Sequence, residues 1–412
     1  MNNKKIKVFE CFSGYGSQSL ALRNIGVNYE IVGISEIDKW AIEAYMSLHN
    51  TSPNINLGDV SKIDVNTLPN IDLFTYSFPC QDISICGKQR GLDENSGTRS
   101  SLLWECKKII ETKKPSYLLM ENVKNLVGNK HKPNFERWIK WLETQGYKNY
   151  WEILNAKDFG VPQNRERVFM VSILNGTKDF EFPKSIPLKK RVKDILDKNV
   201  DSKYFVKGID KFTISKKNSN YELLIEKKYK DIDNKTIFLG GYENINNKRI
   251  GQSNRVFDVN GIACCQAANG GGRGGKTGLY LIDFSNNQNK IPIDINETNL
   301  KKIGVLSISK YEQSNRVYSV EGISPTLLTK EGCKVLLEID KDKKYEDANY
   351  ILFGIRRLTP NECGRLMGLN NNDLEKINKL GFSDNKKYTL YGNSIVIPVL
   401  EAIFKKMEEI YW

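Results

Sequence analysis

A thiol, a carboxyl and two guanidinium groups stand at the ends of separate apolar runs in this 412-residue chain. Cys80 follows Leu73-Phe74-Thr75-Tyr76, and Glu121 closes Tyr117-Leu118-Leu119-Met120. Arg165 and Arg167 lead into Val168-Phe169-Met170-Val171-Ser172-Ile173 and fall on the same side of an extended segment. Pro79 fixes the backbone just before the thiol. An ordinary cysteine titrates near ~8.5, so a useful nucleophile needs cationic or dipolar help. A cysteine alone reads as an inert core residue; a carboxyl and two arginines at the same sheet edge change that reading. Together they fit attack on a pyrimidine. The thiolate adds to C6, a protonated Glu121 donates to N3, and Arg167 holds O2. C5 then becomes nucleophilic enough to take a methyl group from a sulfonium donor. Water or hydroxide removes the C5 proton, and the thiol departs.

A second set of residues suits the donor. Phe12-Ser13-Gly14-Tyr15-Gly16-Ser17 lies between a strand and a helix. Gly14 and Gly16 let backbone approach a ligand, and the helix N-terminus favours an anionic group. Position 19 is serine, so the dinucleotide pattern Gly-x-Gly-x-x-Gly is incomplete. A shorter turn suits a nucleoside carrying a carboxylate in place of a pyrophosphate. Glu36, past the second strand, either takes both ribose hydroxyls or stands as a surface charge. Asp59-Val60, after a third candidate strand, is placed to bracket an adenine ring.

The elements that must position these residues alternate. Ile6 to Glu10 reads as a strand, Ser17 to Arg23 as a helix stopped by Gly26, Ile31 to Ile34 as a strand, and Lys39 to Leu48 as an amphipathic helix. Such alternation predicts a parallel-type sheet covered on both faces, with ligands at the strands' C-terminal ends. After Pro183 the pattern becomes Lys- and Asn-rich with short β-like runs. Here Gln252 to Ile262 recurs as Gln313 to Ile323, each copy leading through a loop to an apolar run, Gly278 to Ile282 and Lys334 to Leu337. This predicts one strand-turn-strand unit used twice, too few copies for a solenoid. Helical signals return near Ile355, with Thr359-Pro360-Asn361-Glu362 as a helix start and a last amphipathic helix to Met407.

The formal net charge of +13 favours a polyanionic partner, nucleic acid ahead of a membrane surface. Eight cysteines without a Cys-x-x-Cys pair, and only His49 and His131, argue against a zinc site, so no metal is expected. No apolar run approaches the roughly 20 residues that span a bilayer. Free thiols and the lack of a signal segment lead us to expect a cytoplasmic protein with no membrane association.

The order of these motifs resembles that of the cytosine-C5 methyltransferase family, in particular its bacterial DNA-modifying members of restriction-modification or orphan type. The resemblance runs from Val8 to the C-terminus and is weakest over 185–350. Phe12 to Ser17 is similar to the family's methionine-binding turn. Glu36 with Ile37, and Asp59 with Val60, match its ribose and adenine contacts. Phe78-Pro79-Cys80-Gln81 matches the nucleophile loop, Glu121-Asn122-Val123 the catalytic glutamate, and Gln163 to Arg167 the Gln-x-Arg-x-Arg motif. Arg357 to Glu362 resembles the motif before the last segment. Gly392-Asn393-Ser394 resembles the C-terminal piece that completes the cofactor site.

The resemblance implies S-adenosylmethionine as cofactor, held by Phe12, Ser13, Gly14, Gly16, Glu36, Ile37, Asp59, Val60, Pro79, Asn393 and Ser394. It implies a doubly wound, Rossmann-like class I methyltransferase sheet with a smaller, irregular, mostly β target-recognition domain. Residues 1–184, completed by 385–412, would form the catalytic domain, 185–354 the recognition domain and 355–384 a connecting segment. The substrate would be a cytosine flipped out of duplex DNA, since C5 and C6 are inaccessible in the stack. Ile83 to Arg99 would be a mobile loop closing over the DNA, with Gln81, Ser84, Lys88, Arg90 and Arg99 as contacts. Thr326-Leu327 resembles a Thr-Leu pair recurrent in the family, whereas the first repeat has Cys265-Gln266 there. Arg273, in a glycine-rich stretch, is placed either to read guanine or at a hairpin tip. We expect a monomer, with any cognate restriction endonuclease acting independently. The rival readings are an RNA cytosine-5 methyltransferase and a non-catalytic sequence-specific DNA-binding protein.

Overall fold

The computed structural model describes residues 5–79, 99–205, 212–214, 235–236, 238–242, 255–259, 261–266, 278–283, 302–305, 316–319, 334–336 and 353–412. The chain divides into two compact units: Met1–Val161 with Arg165–Lys189 and Gly364–Trp412, and Pro162–Asn164 with Lys190–Cys363.

The first unit is built on a six-stranded sheet. Its strands are β1 (Ile6–Cys11), β2 (Tyr29–Ser35), β3 (Leu73–Tyr76), β4 (Tyr117–Val123), β5 (Tyr147–Asn155) and β6 (Glu166–Leu174), in the order β2-β1-β3-β4-β6-β5. The first four neighbours pair in parallel. β6 runs antiparallel to both β4 and β5, so the sheet is mixed where alternation alone predicts a parallel one. The reason is local. α4 (Lys132–Thr144) crosses over to β5, and a connection through the short turn Ala156–Phe159 then returns the chain as β6. β5 escapes the pattern because its outer-edge residues, such as Lys148 and Trp151, are exposed and its apolar alternation is weak.

Helices cover both faces. Side chains alternate along β1: Phe9 and Cys11 join the cluster with Phe74, Tyr76, Ile109, Phe135 and Trp138, beneath α3 (Cys106–Lys113) and α4. The Phe74 and Tyr76 rings stack at 5.3 Å, and the Trp138 indole N–H donates to the Tyr76 hydroxyl at 3.1 Å. Glu10 points to the opposite face, toward α1 (Ser17–Ile25) and α2 (Lys39–His49). α1 ends at Gly26, whose φ of 80° lets the backbone close the last turn.

Asp59 does not follow a strand. The preceding residues form a 3-10 turn, Pro53–Ile55, and a single bridge from Asn56 to Ile34. Ser52 and Pro53 start a turn there and leave too few residues for a ladder.

In the second unit, β7 (Phe212–Ile214), β8 (Phe238–Tyr242), β9 (Arg255–Asp258), β10 (Leu279–Asp283) and β14 (Phe353–Arg356) form a sheet in the order β14-β10-β9-β8-β7. A separate sheet holds β11 (Lys302–Val305), β12 (Arg316–Ser319) and β13 (Lys334–Leu336). The sequence repeat is a structural repeat. β8-β9-β10 and β11-β12-β13 each pair antiparallel and then parallel, with a register shift at Phe238/Gly240 in one and at Lys302/Gly304 in the other. In the first copy Gln266 is buried, and its N–H donates to the Gln163 side chain at 3.2 Å.

The Thr359-Pro360-Asn361-Glu362 helix start is realised as a reciprocal cap. Glu362 N–H donates to the Thr359 hydroxyl at 3.2 Å, and Thr359 N–H donates to the Glu362 carboxylate at 2.7 Å. Glu362 is wholly buried and is neutralised by Arg356 at 2.7 Å. This cap opens α5 (Pro360–Arg365), followed in the first unit by α6 (Asn371–Lys379), α7 (Asp384–Gly392) and α8 (Ile397–Tyr411). α8 packs against α1.

Candidate active site

β4 and β6 bring two of the expected groups together. Their antiparallel register sets Glu121 opposite Phe169 and Val123 opposite Arg167. The Arg167 Nε–H lies 3.2 Å from the Glu121 carboxylate. Glu121 is only 8% exposed. Burial pushes its carboxyl above the usual range, and Arg167 and then Arg165 pull it back. A proton on Glu121 is therefore easier to keep than on a surface glutamate.

Arg165 sits on the same side of the chain but serves another partner. It is buried, and one guanidinium nitrogen donates to the Ser394 carbonyl at 2.6 Å and the Gly392 carbonyl at 3.1 Å. Both arginines line a small cavity with Leu154, Ala156, Phe169, Ile395, Val396 and Val399. Arg165 thus clamps the C-terminal segment, while Arg167 faces the carboxyl.

Cys80, Gln81, Ser84, Lys88, Arg90, Arg273, Thr326 and Leu327 lie outside the described residues. Arg99 begins the 3-10 segment Arg99–Glu105. The approach to Cys80 is described as far as Pro79, which is half-buried. The Asn122 amide donates to the Phe78 carbonyl at 2.9 Å. Asn122 therefore ties the end of β4, beside Glu121, to the chain two residues before the cysteine. Sequence reasoning gave Asn122 no role of its own. Its position after the acid at a strand end was the available signal.

The donor-side residues also converge. Phe12 has a φ of 56°, a left-handed conformation uncommon for a non-glycine residue and enriched at functional turns. Phe12 N–H donates to the Ser35 carbonyl at 2.8 Å, tying the end of β1 to the end of β2. Glu36 receives Gly14 N–H at 2.9 Å on one oxygen, and Ile37 and Asp38 N–H at 2.8 and 2.9 Å on the other. A Cβ on Gly14 would meet Ser394 Oγ at 3.8 Å, so the Gly392-Asn393-Ser394 segment lies against the glycine turn. Asn393 is exposed and caps α7, and Ser394 is buried.

Three observations fit a nucleoside carrying a carboxylate. The Ser13 hydroxyl is buried with no hydrogen-bond partner among the described residues. Ile37, beside Glu36, is 74% exposed, an apolar surface left open next to a carboxylate. Asp59 is half-buried, and hydrogen bonds from Ser61 hold its carboxyl below the usual range. Val60 is the exception: it is buried and belongs to the hydrophobic cluster beneath β3.

A turn at the end of β1, a carboxylate at the end of β2 and an acid-arginine pair between β4 and β6 are thus carried on one α/β sheet, the arrangement of a group-transfer enzyme. The chain belongs to the C-5 cytosine-specific DNA methylase family, whose model matches residues 6–409. It is 34% identical to the type II methyltransferase M2.ScrFI of Lactococcus lactis subsp. cremoris, over 98% of this chain and 99% of that protein. It is 30% identical to the orphan methyltransferase M.Rho11sI of Bacillus phage rho11s, over 99% of this chain and 98% of that one. The fold matches the solved Entamoeba histolytica methyltransferase EhMeth at a TM-score of 0.62 and 18% identity, covering 99% and 100% of the two chains. The chain is a DNA (cytosine-5)-methyltransferase with a Rossmann-like methyltransferase sheet.

Proposed function

We propose that the chain methylates C5 of a cytosine flipped out of a short duplex DNA site, through a transient bond between the Cys80 sulfur and C6. The observation that carries this reading is the pairing of buried Glu121 with Arg167 at 3.2 Å, with Asn122 beside it anchoring the chain two residues before Cys80.

Addition of the Cys80 thiolate to C6 breaks the C5–C6 double bond and pushes electron density toward N3. Glu121, whose carboxyl burial pushes above the usual range, donates to N3 from its protonated form and so neutralises that charge as it forms. Arg167 holds O2 and keeps Glu121 in register with the ring. S-adenosylmethionine, when bound, supplies the methyl group as an electrophilic carbon on a sulfonium. Water or hydroxide then takes the C5 proton, C5=C6 reforms, the thiolate leaves, and the N3 proton returns to Glu121. Phe12 to Gly16, Glu36, Ile37, Asp59, Asn393 and Ser394 would hold the donor. Arg165 supports them by fixing the carbonyls of Gly392 and Ser394.

Residues 185–354 would select the target, and the protein would act as a cytoplasmic monomer with no obligate endonuclease partner. The named relatives favour DNA over RNA as the substrate. Methyl transfer to duplex DNA and to RNA of the same sequence separates these. Cys80→Ser should abolish turnover while DNA binding persists; undiminished methylation would end the covalent reading. DNA carrying 5-fluorocytosine should trap a covalent adduct, because fluorine cannot leave C5 as a proton.

A further inference from the structure

Glu10 is a fully buried carboxyl in β1, a central strand of the sheet, and the chemistry above gives it no part. It lies under the first turn of α1. Ser19 N–H donates to one oxygen at 3.1 Å, and the Tyr45 hydroxyl of α2 donates to the other in a short hydrogen bond. Ser19 is the third residue of α1, so its amide is one that a helix N-terminus leaves without an intrahelical acceptor. The N-cap residue, Gly16, offers no side chain for it. A carboxyl on the strand below performs the capping instead.

The same turn is gripped at two more points, one on α2 and one on β2. His49 Nε2 lies 3.1 Å from the Tyr15 carbonyl, and the Tyr29 hydroxyl of β2 donates to the Ser19 carbonyl at 3.0 Å. A Cβ on Gly16 would fall 2.3 Å from the His49 ring and 2.5 Å from the Tyr45 ring, so the pair fills the space beneath the turn. Among charged neighbours, Arg23 of α1 is paired with Asp373 of α6 at 2.7 Å. Burial drives His49 down to about 4, so it is neutral near pH 7. Burial pushes the Glu10 carboxyl up to about 7, against the hydrogen bonds from Tyr45 and Ser19. The carboxyl thus caps a helix end with no ion-pair partner among the described residues.

We propose that Glu10 is a positioning residue for the methyl donor that takes up a proton as the donor binds, because its carboxylate and the donor's compete for the N-terminal pole of α1. This rests on the donor reading given above. An anion at a helix N-terminus is stabilised by the aligned peptide dipoles, and a second anion at the same pole weakens the first. Protonated Glu10 keeps the geometry. Its carbonyl oxygen still accepts from Ser19 N–H, and its hydroxyl donates to the Tyr45 oxygen, whose own hydrogen turns away. The proton comes from solvent, and no covalent bond in the protein changes.

The test is calorimetric titration of the full chain with S-adenosylhomocysteine from pH 6 to 8, in two buffers of different ionisation enthalpy. Affinity should fall about 3- to 10-fold across that range, the scale of a helix-terminus charge interaction, with net proton uptake near pH 7. Glu10→Gln imitates the protonated side chain. It should bind at pH 8 as wild type binds at pH 6, with no proton uptake. Tyr45→Phe removes one donor to the carboxylate while keeping the ring against Gly16. It should move the midpoint to higher pH and retain the uptake. A wild-type affinity independent of pH, or a Glu10→Gln protein with the wild-type slope, would overturn the proposal. Should Glu10→Gln fail to fold, the wild-type proton count and Tyr45→Phe decide it. Absence of any binding by folded wild type at every pH would instead overturn the donor reading itself.

Discussion

The Arg167 guanidinium lies 3.2 Å from the Glu121 carboxylate across the antiparallel pairing of β4 with β6. Glu121 is buried and Arg167 half-buried, so the pair is neither a surface ion pair nor a free acid. Desolvation favours the protonated carboxyl, and the two arginines oppose it. The same balance sets when Glu121 can donate to a ring nitrogen.

Because the folded pKa of Glu121 is raised, its protonated form is lost as pH climbs through that value. We expect an alkaline limb in kcat/KM from this group. Arg167→Ala removes the larger lowering cation, so the limb should move to higher pH while kcat falls roughly 100- to 1,000-fold. A pH profile of wild type and variant checks both. A limb that stays in place would separate the arginine from the acid.

Asn122 should matter through the chain it holds. Asn122→Ala leaves the Phe78 carbonyl without its 2.9 Å donor, at a cost of about 1–3 kcal/mol. We expect urea denaturation to show that loss. We also expect kcat to fall more than KM rises, because the segment leading to Cys80 loses its anchor.

The two glycines of the donor turn should differ. Both have positive φ, 56° at Gly14 and 81° at Gly16, so either side chain incurs backbone strain of about 1–2 kcal/mol. At Gly14 the nearest atom to an added Cβ is 3.8 Å away, whereas at Gly16 it would sit 2.3 Å from His49. Thermal melting should therefore show Gly16→Ala destabilised beyond Gly14→Ala by roughly 1–3 kcal/mol, the scale of overpacking.

Arg165 should behave as a clamp. Arg165→Lys offers one ammonium where a guanidinium nitrogen now serves two carbonyls. Hydrogen exchange at the start of α8 should accelerate, and donor affinity should fall, before any change in DNA affinity. Arg165→Ala should cost about 2–4 kcal/mol through the buried carbonyls it abandons.

Glu10 also predicts a pH-dependent stability. Its folded pKa is raised to about 7 from an ordinary 4.5. Its contribution is fully present below the unfolded value and is lost as pH rises through about 7. The Glu10→Gln variant, always neutral, should match wild type near pH 4 and exceed it at pH 8 by a margin on the order of 3 kcal/mol. Chemical denaturation at the two pH values measures it.

The sequence by itself determined which groups the chain carries to the ends of its strands, because each apolar run terminates in a polar residue that burial cannot accept unpaired. Glu36, Glu121 and the arginines were visible in that way, as were the Gly26 helix stop, the Thr359–Glu362 cap and the twofold repeat. Local spacing encodes all of these. What only the tertiary structure decided was partnership. Both arginines lie on one side of the chain as it enters β6, yet one meets Glu121 and the other two carbonyls more than two hundred residues away. The reversal of β6, the edge strand β5 and the burial of Glu10 beneath α1 were equally hidden. Each depends on groups remote in sequence whose distance is set by the packing of the sheet and its helices, and no local pattern records that distance.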